Sequence, residues 1–340
     1  MTTFKEIRGK LIKTVASDPT PVANYEGEIW YNTTTGQLKA GQPESVAGAW
    51  SSTNAVLTHV NNYSAAGTQN ASYIAAGSLR PPNVITPITQ EYDGTSWTAA
   101  NPVLQNASNR ANSGAGTQTS GLMCGGYSGG APPPLWRTYT EEYDGTSWTI
   151  GGNLNTGRWK GAAGGTQTAG LFTGGSDGSP PVNSNNVEEY NGASWTAVTA
   201  MATIRRYHAG FGVQTDFAAV GGYYSNPTSI FTNIVEEYDG TNWTAGTSYP
   251  VTIHSHQGFG SSTSAGVICG GTEPGGTGTL TNSYDGSAWT AQGSMANAYT
   301  GVSAVGTAAA GVIGSSPSTT ASEEYTGPFQ QVATKTLTTS

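Results

Sequence analysis

The 340-residue sequence predicts an all-β fold in which six four-stranded sheets stack radially about an axis, a six-bladed β-propeller. Three observations carry that expectation. First, QEYDGTSWT (90–98) returns as EEYDGTSWT (141–149), EEYNGASWT (188–196), EEYDGTNWT (236–244) and NSYDGSAWT (282–290), with a weaker EEYTGPF at 323–329. Second, an apolar strand ending in small residues or a Gly pair precedes each copy: SYIAAG (72–77), GLMCGG (121–126), GLFTGG (170–175), FAAVGG (217–222), GVICGG (266–271) and GVIG (311–314). Third, only 10% of residues are charged while 10% are aromatic, including 9 Trp and 17 Tyr. Disordered chains show the reverse balance, so a packed, turn-rich chain is expected.

Each unit divides into four short strands. The first follows the Trp segment and ends in a turn: AGTQ (66–69), AGTQT (115–119), GGTQT (164–168) or GVQTD (212–216). The second ends at the Gly pair; small and apolar, it suits the crowded inner region. The third carries Tyr92, Tyr143, Tyr190, Tyr238, Tyr284 or Tyr325. An Asp-Gly turn, a strong hairpin signal, leads to the fourth, which carries Trp97, Trp148, Trp195, Trp243 or Trp289. These rings are expected to fill the gaps between sheets. The last unit has Tyr325 but no Trp, whereas Trp50 has no preceding Gly-pair strand. If Trp50 supplies the missing fourth strand, the ring closes with six blades. A seventh blade would need GEIWYNTTTGQLKA (27–40) to form part of it.

With those marks in order, residues 48–329 resemble the kelch family of propellers. Gly125-Gly126 with Tyr143 and Trp148, Gly174-Gly175 with Tyr190 and Trp195, and Gly221-Gly222 with Tyr238 and Trp243 carry the resemblance. The third-to-fourth turn is shorter than the family's, and the end units are incomplete.

Residues 1–46 do not follow the repeat. They hold Lys5, Arg8, Lys10, Lys13 and Lys39, a cationic bias absent from the rest of the chain. GEIWYN and QLKA around Thr-Thr-Thr-Gly read as a β-hairpin. The run FKEIRG, SDPT, GEIWYNTTTGQLKA resembles the opening of structural proteins of marine bacteriophages, cyanophages among them. That resemblance implies a segment 1–46 that docks on other virion proteins, a propeller at 47–330 and a C-terminal tail at 331–340. It further implies several copies per particle.

The net charge of −8 argues against nucleic acid as a partner. No apolar run is long enough to insert into a membrane, and the N-terminus lacks the apolar core of a signal peptide. The expectation is synthesis in a host cytoplasm and residence in a virion.

Alternate connections of a meander lie on opposite ends. The first-to-second and third-to-fourth turns form a uniform face. The long connections at 77–89, 127–140, 176–186, 223–233 and 272–282 form a variable one, where binding is expected. Trp136, Tyr139, Tyr223, Tyr224 and Phe231 are the candidate contacts there; packing on prolines such as Pro132, Pro133 and Pro134 is the competing expectation.

Other residues point to scaffold. His254-x-His256 could place two imidazoles on one face for a metal, but three or four ligands are needed; with His208 they are expected to be structural. Cys124 and Cys269 hold the same repeat position in opposite blades, too far apart for a disulfide, and are expected to be separate buried thiols. One Glu of each Glu-Glu-Tyr is expected to meet Arg110, Arg158 or Arg206. The Asp-Gly turns lack the spacing of a sialidase Asp-box, and no copper and Cys–Tyr set of an oxidase is apparent. The function expected is therefore non-enzymatic, without cofactor or metal: a virion structural protein with possible host-surface recognition. The alternatives are a stand-alone glycan- or protein-binding propeller and, third, a glycosidase or oxidase.

Overall fold

A computed structural model describes residues 12–20, 26–79, 84–104, 114–128, 136–178, 183–225, 229–316 and 319–337. Arg110, Pro132–Pro134, Lys5, Arg8 and Lys10 lie outside them. The described residues form strands and no helix. The chain divides into two units, residues 1–48 with 328–340, and residues 49–327.

The smaller unit is one four-stranded sheet. Ile29–Asn32 pairs antiparallel with Gln37–Val46 about the Thr33–Gly36 turn, and parallel with Lys13–Val15. Asp18 organises it, accepting from Lys39 Nζ at 2.8 Å, Asn32 Nδ2 at 2.8 Å and Trp30 Nε1 at 3.2 Å. Those donors, Lys39 foremost, hold its carboxyl at about 2. The C-terminal segment is not the expected tail: Phe329–Thr336 pairs antiparallel along Gln37–Val46. A strand as long as Gln37–Val46 leaves a row of unpaired backbone groups beyond its hairpin partner, and the C-terminal strand covers it.

The larger unit contains six four-stranded antiparallel sheets, each a meander. Sheets I to V begin at Ser64–Thr68, Gly114–Thr117, Ala162–Thr166, Ala209–Val213 and Gln257–Ser262. Sheet VI comprises Ala304–Thr307, Ala310–Ser316, Thr319–Thr326 and the N-terminal strand Ala49–Thr53, with Trp50 opposite Tyr325. Each first strand touches the first strand of the next sheet, and Ala304–Thr307 touches Ser64–Thr68. This is the arrangement of a β-propeller. The innermost strand is the first, not the second as expected. Ala65, Gly114, Ala162, Ala209, Gly258 and Ala304 of the first strands line a central cavity. Second strands are covered on both faces and are buried almost throughout.

Backbone geometry explains the repeat's glycines. In the first-to-second turn, Gly116 has φ +94°, and a Cβ there would stand 2.2 Å from the Ser120 carbonyl oxygen. Gly125, first of a Gly pair, has φ +72°, and a Cβ would meet the Arg158 carbonyl oxygen at 2.5 Å. The left-handed turn after the second strand persists where glycine does not: Ala76 in sheet I and Ser315 in sheet VI hold φ +57° and +62°. Gly314 of GVIG therefore stands one residue before the pair position, which Ser315 occupies.

The seams between sheets repeat three contacts. Within each sheet, the Tyr of the third strand and the Trp of the fourth pack ring to ring at 4.5 to 5.1 Å, across an Asp-Gly or Asn-Gly turn in sheets I to V and between Tyr325 and Trp50 in sheet VI. Five of the six Tyr hydroxyls, all but that of Tyr325, then donate to the second Glu of the preceding sheet: Tyr143 to Glu91 at 2.8 Å, Tyr190 to Glu142 at 2.6 Å, Tyr238 to Glu189 at 2.9 Å, Tyr284 to Glu237 at 2.8 Å and Tyr92 to Glu324 at 2.6 Å. The turn glutamines Gln69, Gln118, Gln167 and Gln214 donate to backbone carbonyls of the preceding sheet's strands.

The expected Glu–Arg contact exists in a different form. It lies within a sheet and uses the first Glu. Arg158 pairs with Glu188 at 2.8 Å and Arg205, rather than Arg206, pairs with Glu236. Arg205 shares the repeat phase of Arg158, four residues before the first strand, whereas Arg206 is one residue beyond it. The same Glu accepts backbone N–H groups from the connection that enters its sheet, as Glu141 does from Leu104 at 2.7 Å.

Candidate functional site: the mouth of the central channel

The chain enters each first strand through a left-handed residue. Asn62, Lys160, Tyr207 and Ser255 have φ between +54° and +62°, and Gly301 has +63°. Backbone hydrogen bonds pass from one to the next: Asn62 N to Gly301 O at 2.8 Å, Gly301 N to Ser255 O at 3.2 Å, Ser255 N to Tyr207 O at 2.8 Å and Tyr207 N to Lys160 O at 2.8 Å. The corresponding position of sheet II lies outside the described residues. A non-glycine residue in this conformation costs about 1–2 kcal/mol. The hydrogen-bonded rim holds it in place, and such sustained strain is a mark of functional sites.

The side chains on this rim break the repeat. At the two positions entering sheets III, IV and V stand Trp159-Lys160, Arg206-Tyr207 and His254-Ser255; at those entering sheets VI and I stand Thr300-Gly301 and Asn61-Asn62. The large residues stack into a column. Tyr127 lies on Trp159 with centroids 4.7 Å apart. Lys160 Nζ sits 3.8 Å from the Trp159 centroid and 3.5 Å from that of Tyr207. Tyr207 stacks on Tyr223 at 5.2 Å, and the Arg206 guanidinium lies 4.8 Å over Tyr223. Both faces of Tyr207 are thus covered, so the column presents ring edges and cations rather than bare ring faces.

Of the residues expected to bind, Trp136 contacts Tyr127 at 6.2 Å, Tyr223 is part of the column, and Phe231 packs on His254 at 4.5 Å while 37% exposed. Tyr139 lies beneath Arg137 at 5.2 Å. Tyr224 is half-buried in the Tyr223–Ser225 hairpin opposite Ile230 and takes no part in ring contacts among the described residues. The proline packing proposed for Trp136 falls outside the described residues. Sequence reasoning missed Tyr127, Trp159, Lys160, Arg206 and Tyr207 as site residues. Their signal was phase: bulky residues two and three positions before the first strand, where other units carry small ones.

His254 and His256 do not share a face, because the left-handed Ser255 between them turns the chain. His254 joins the aromatic column, its Nδ1 3.0 Å from Ser255 Oγ. Burial, then the charge of Lys160, lowers its pKa. His256 and His208 line the channel wall below. Burial drives both well below the ordinary value of 6.5, His256 to about 3, and His208 Nε2 lies 2.9 Å from Thr173 Oγ1. Both imidazoles are neutral at pH 7. Cys124 and Cys269 are free and buried, their thiol pKa values raised by burial.

No family model and no curated protein matches the chain. Among solved structures, one titled "Structure of YjhT" superposes with a TM-score of 0.64 at 11% identity, over 83% of this chain and 99% of that one. At that identity the likeness concerns the fold alone.

Proposed function

We propose that residues 49–327 form a six-bladed, kelch-like propeller closed by Ala49–Thr53, and that it acts by binding rather than catalysis. The observation that carries this reading is the channel mouth. There the repeat gives way to a column of rings and cations on a rigid rim, whose groups make contacts rather than break bonds. In this reading the protein is a structural component of a bacteriophage particle, present in several copies. The smaller unit attaches it to other virion proteins, and the variable face recognises a host-surface glycan or protein. The virion part rests on the resemblance of residues 1–46 to phage structural proteins. The alternative is the same binding propeller without a particle; a glycosidase or oxidase stands third.

The test removes residues 1–46 together with 328–340, because the C-terminal strand depends on its partner. The truncated chain is expected to keep its β-sheet spectrum and cooperative unfolding but to be missing from purified particles. Incorporation at the full-length level would refute the attachment role.

A further inference from the structure

We propose that the channel mouth binds a saccharide bearing an anionic group, carboxylate or sulfate, received by Arg206 and Lys160. This rests on the reading of the variable face as a recognition surface.

The charge distribution is the first argument. The chain carries a net charge of −8. Five cations of the larger unit are described. Arg158 and Arg205 are paired inside their sheets with Glu188 and Glu236. Lys160 and Arg206 lie against the aromatic rings at this rim, and Arg137 lies over Tyr139. A positive sector on an acidic protein focuses its field on anions that approach the mouth.

Burial is the second argument. Arg206 and Lys160 are each 8% exposed, and Arg206 Nε is buried without a hydrogen-bond partner. A buried guanidinium nitrogen left unpaired is costly, and the oxygens of a carboxylate or sulfate at the guanidinium edge accept the missing bond. Lys160 Nζ and the Arg206 guanidinium lie 3.5 and 5.8 Å from the centroid of one ring, Tyr207, which gathers two positive charges about it. An anion at the mouth is attracted by both, and the ring stack, which already orders the two long side chains, spares it that cost.

Shape is the third. Next to the column, the rim at sheets V and VI carries Ser255 and Thr300, small and half-buried, with hydroxyls suited to sugar hydroxyls. Phe231 supplies an exposed apolar ring for C–H faces. A nucleic acid would offer anions too, but the acidic remainder of the surface repels a long polyanion.

The test titrates the full-length chain by calorimetry with oligogalacturonate, sulfated dextran oligosaccharide and neutral dextran oligosaccharide, at low and high salt. One acidic probe or both are expected to bind, and which one identifies the anion as carboxylate or sulfate. Neutral dextran is expected not to bind, and salt is expected to weaken the acidic complex. Arg206→Gln and Lys160→Asn, the latter chosen because Asn tolerates the left-handed backbone, should each weaken binding about tenfold or more, while Tyr224→Ala leaves it unchanged. If Arg206→Gln fails to fold, the salt dependence and the acidic-to-neutral ratio of the wild type decide. Neutral dextran binding as tightly as the acidic probes overturns the anionic ligand; if Phe231→Ala abolishes that binding, the recognition surface itself stands. No binding by any probe overturns the inference, and particle incorporation still judges the virion role separately.

Discussion

The seams between sheets and the mouth of the channel obey opposite rules. At the seams the units repeat: Tyr on Trp in all six, Tyr hydroxyl to Glu in five, Gln to backbone in four. At the mouth three consecutive units carry Trp-Lys, Arg-Tyr and His-Ser while the next two carry Thr-Gly and Asn-Asn. The difference has a physical cause. A seam residue must fit the same neighbour in every unit, so packing allows one solution. A mouth residue shares only its left-handed backbone with the other units, and its side chain packs on whatever the neighbouring connections supply. Departures from the repeat are therefore costly at the seams and informative at the mouth.

The seams show that cost where they vary. Sheet V carries Ser283 where its neighbours carry the second Glu, and the Tyr325 hydroxyl that would meet it is buried without a partner. Sheet VI carries Ser322 where sheets I, II and V place Thr89, Thr140 and Thr281. Trp148, Trp195 and Trp50 each donate to one of those hydroxyls at 2.8 to 3.0 Å. The Trp97 indole N–H and Ser322 Oγ both lack a partner. Where that position is Val187 or Val235, Trp243 and Trp289 turn to the carbonyls of Thr199 and Thr247 and are only half-buried.

The contrast can be broken or sharpened by experiment. The largest effect is expected from Trp148→Ala, which empties a buried seam and should lower unfolding free energy in urea by about 3–5 kcal/mol. Trp243→Ala, at the half-buried site, should cost less than half of that, and equal losses would contradict the seam description. Next is acid. His208 and His256 are neutral when folded and ordinary when unfolded, so the unfolded chain binds more protons. Their contribution is present above pH 6.5 and falls as pH drops below it, for His256 down to about 3. His256 should remove about 1.4 kcal/mol per pH unit within that window. His256→Gln should flatten the decline of the urea midpoint, and an unchanged slope would mean another group governs it.

Smaller effects separate the seams from one another. Glu142→Ala removes the acceptor of the Tyr190 hydroxyl and should cost about 1–3 kcal/mol. Ser283→Glu should do the reverse, giving Tyr325 the acceptor its counterparts have and raising stability by about 1 kcal/mol in thermal unfolding. A destabilised Ser283→Glu chain would mean that this seam is built differently. The smallest change is Ala76→Gly, which relieves a left-handed alanine. It should raise the thermal midpoint slightly, because about 1–2 kcal/mol of strain outweighs the roughly 0.4–1 kcal/mol of added chain entropy.

Much of the fold was legible because its determinants are local and recur. The Asp-Gly turns, the turn glycines and the facing Tyr and Trp follow from strand alternation and turn chemistry, and Trp50 was found through its phase with Tyr325. The Glu–Arg pairing was misplaced by one residue. The ion pair depends on which of two adjacent arginines, Arg205 or Arg206, points into the sheet, and adjacent side chains diverge. The column at the mouth was missed for a related reason. Tyr127, Trp159, Tyr207 and Tyr223 are far apart in sequence and meet only because radial stacking brings their connections to one rim.

The repeat by itself thus determined the strand order, the turns, the partner of Trp50 and the division into a uniform and a variable face, since each depends on residues within one unit or at one fixed phase. Only the tertiary structure decided that the first strand is innermost, that the C-terminal residues extend the N-terminal sheet, and that Arg206 and Lys160 stand together among the rings. Those outcomes depend on how separate units meet in space, and no single unit of the sequence encodes that.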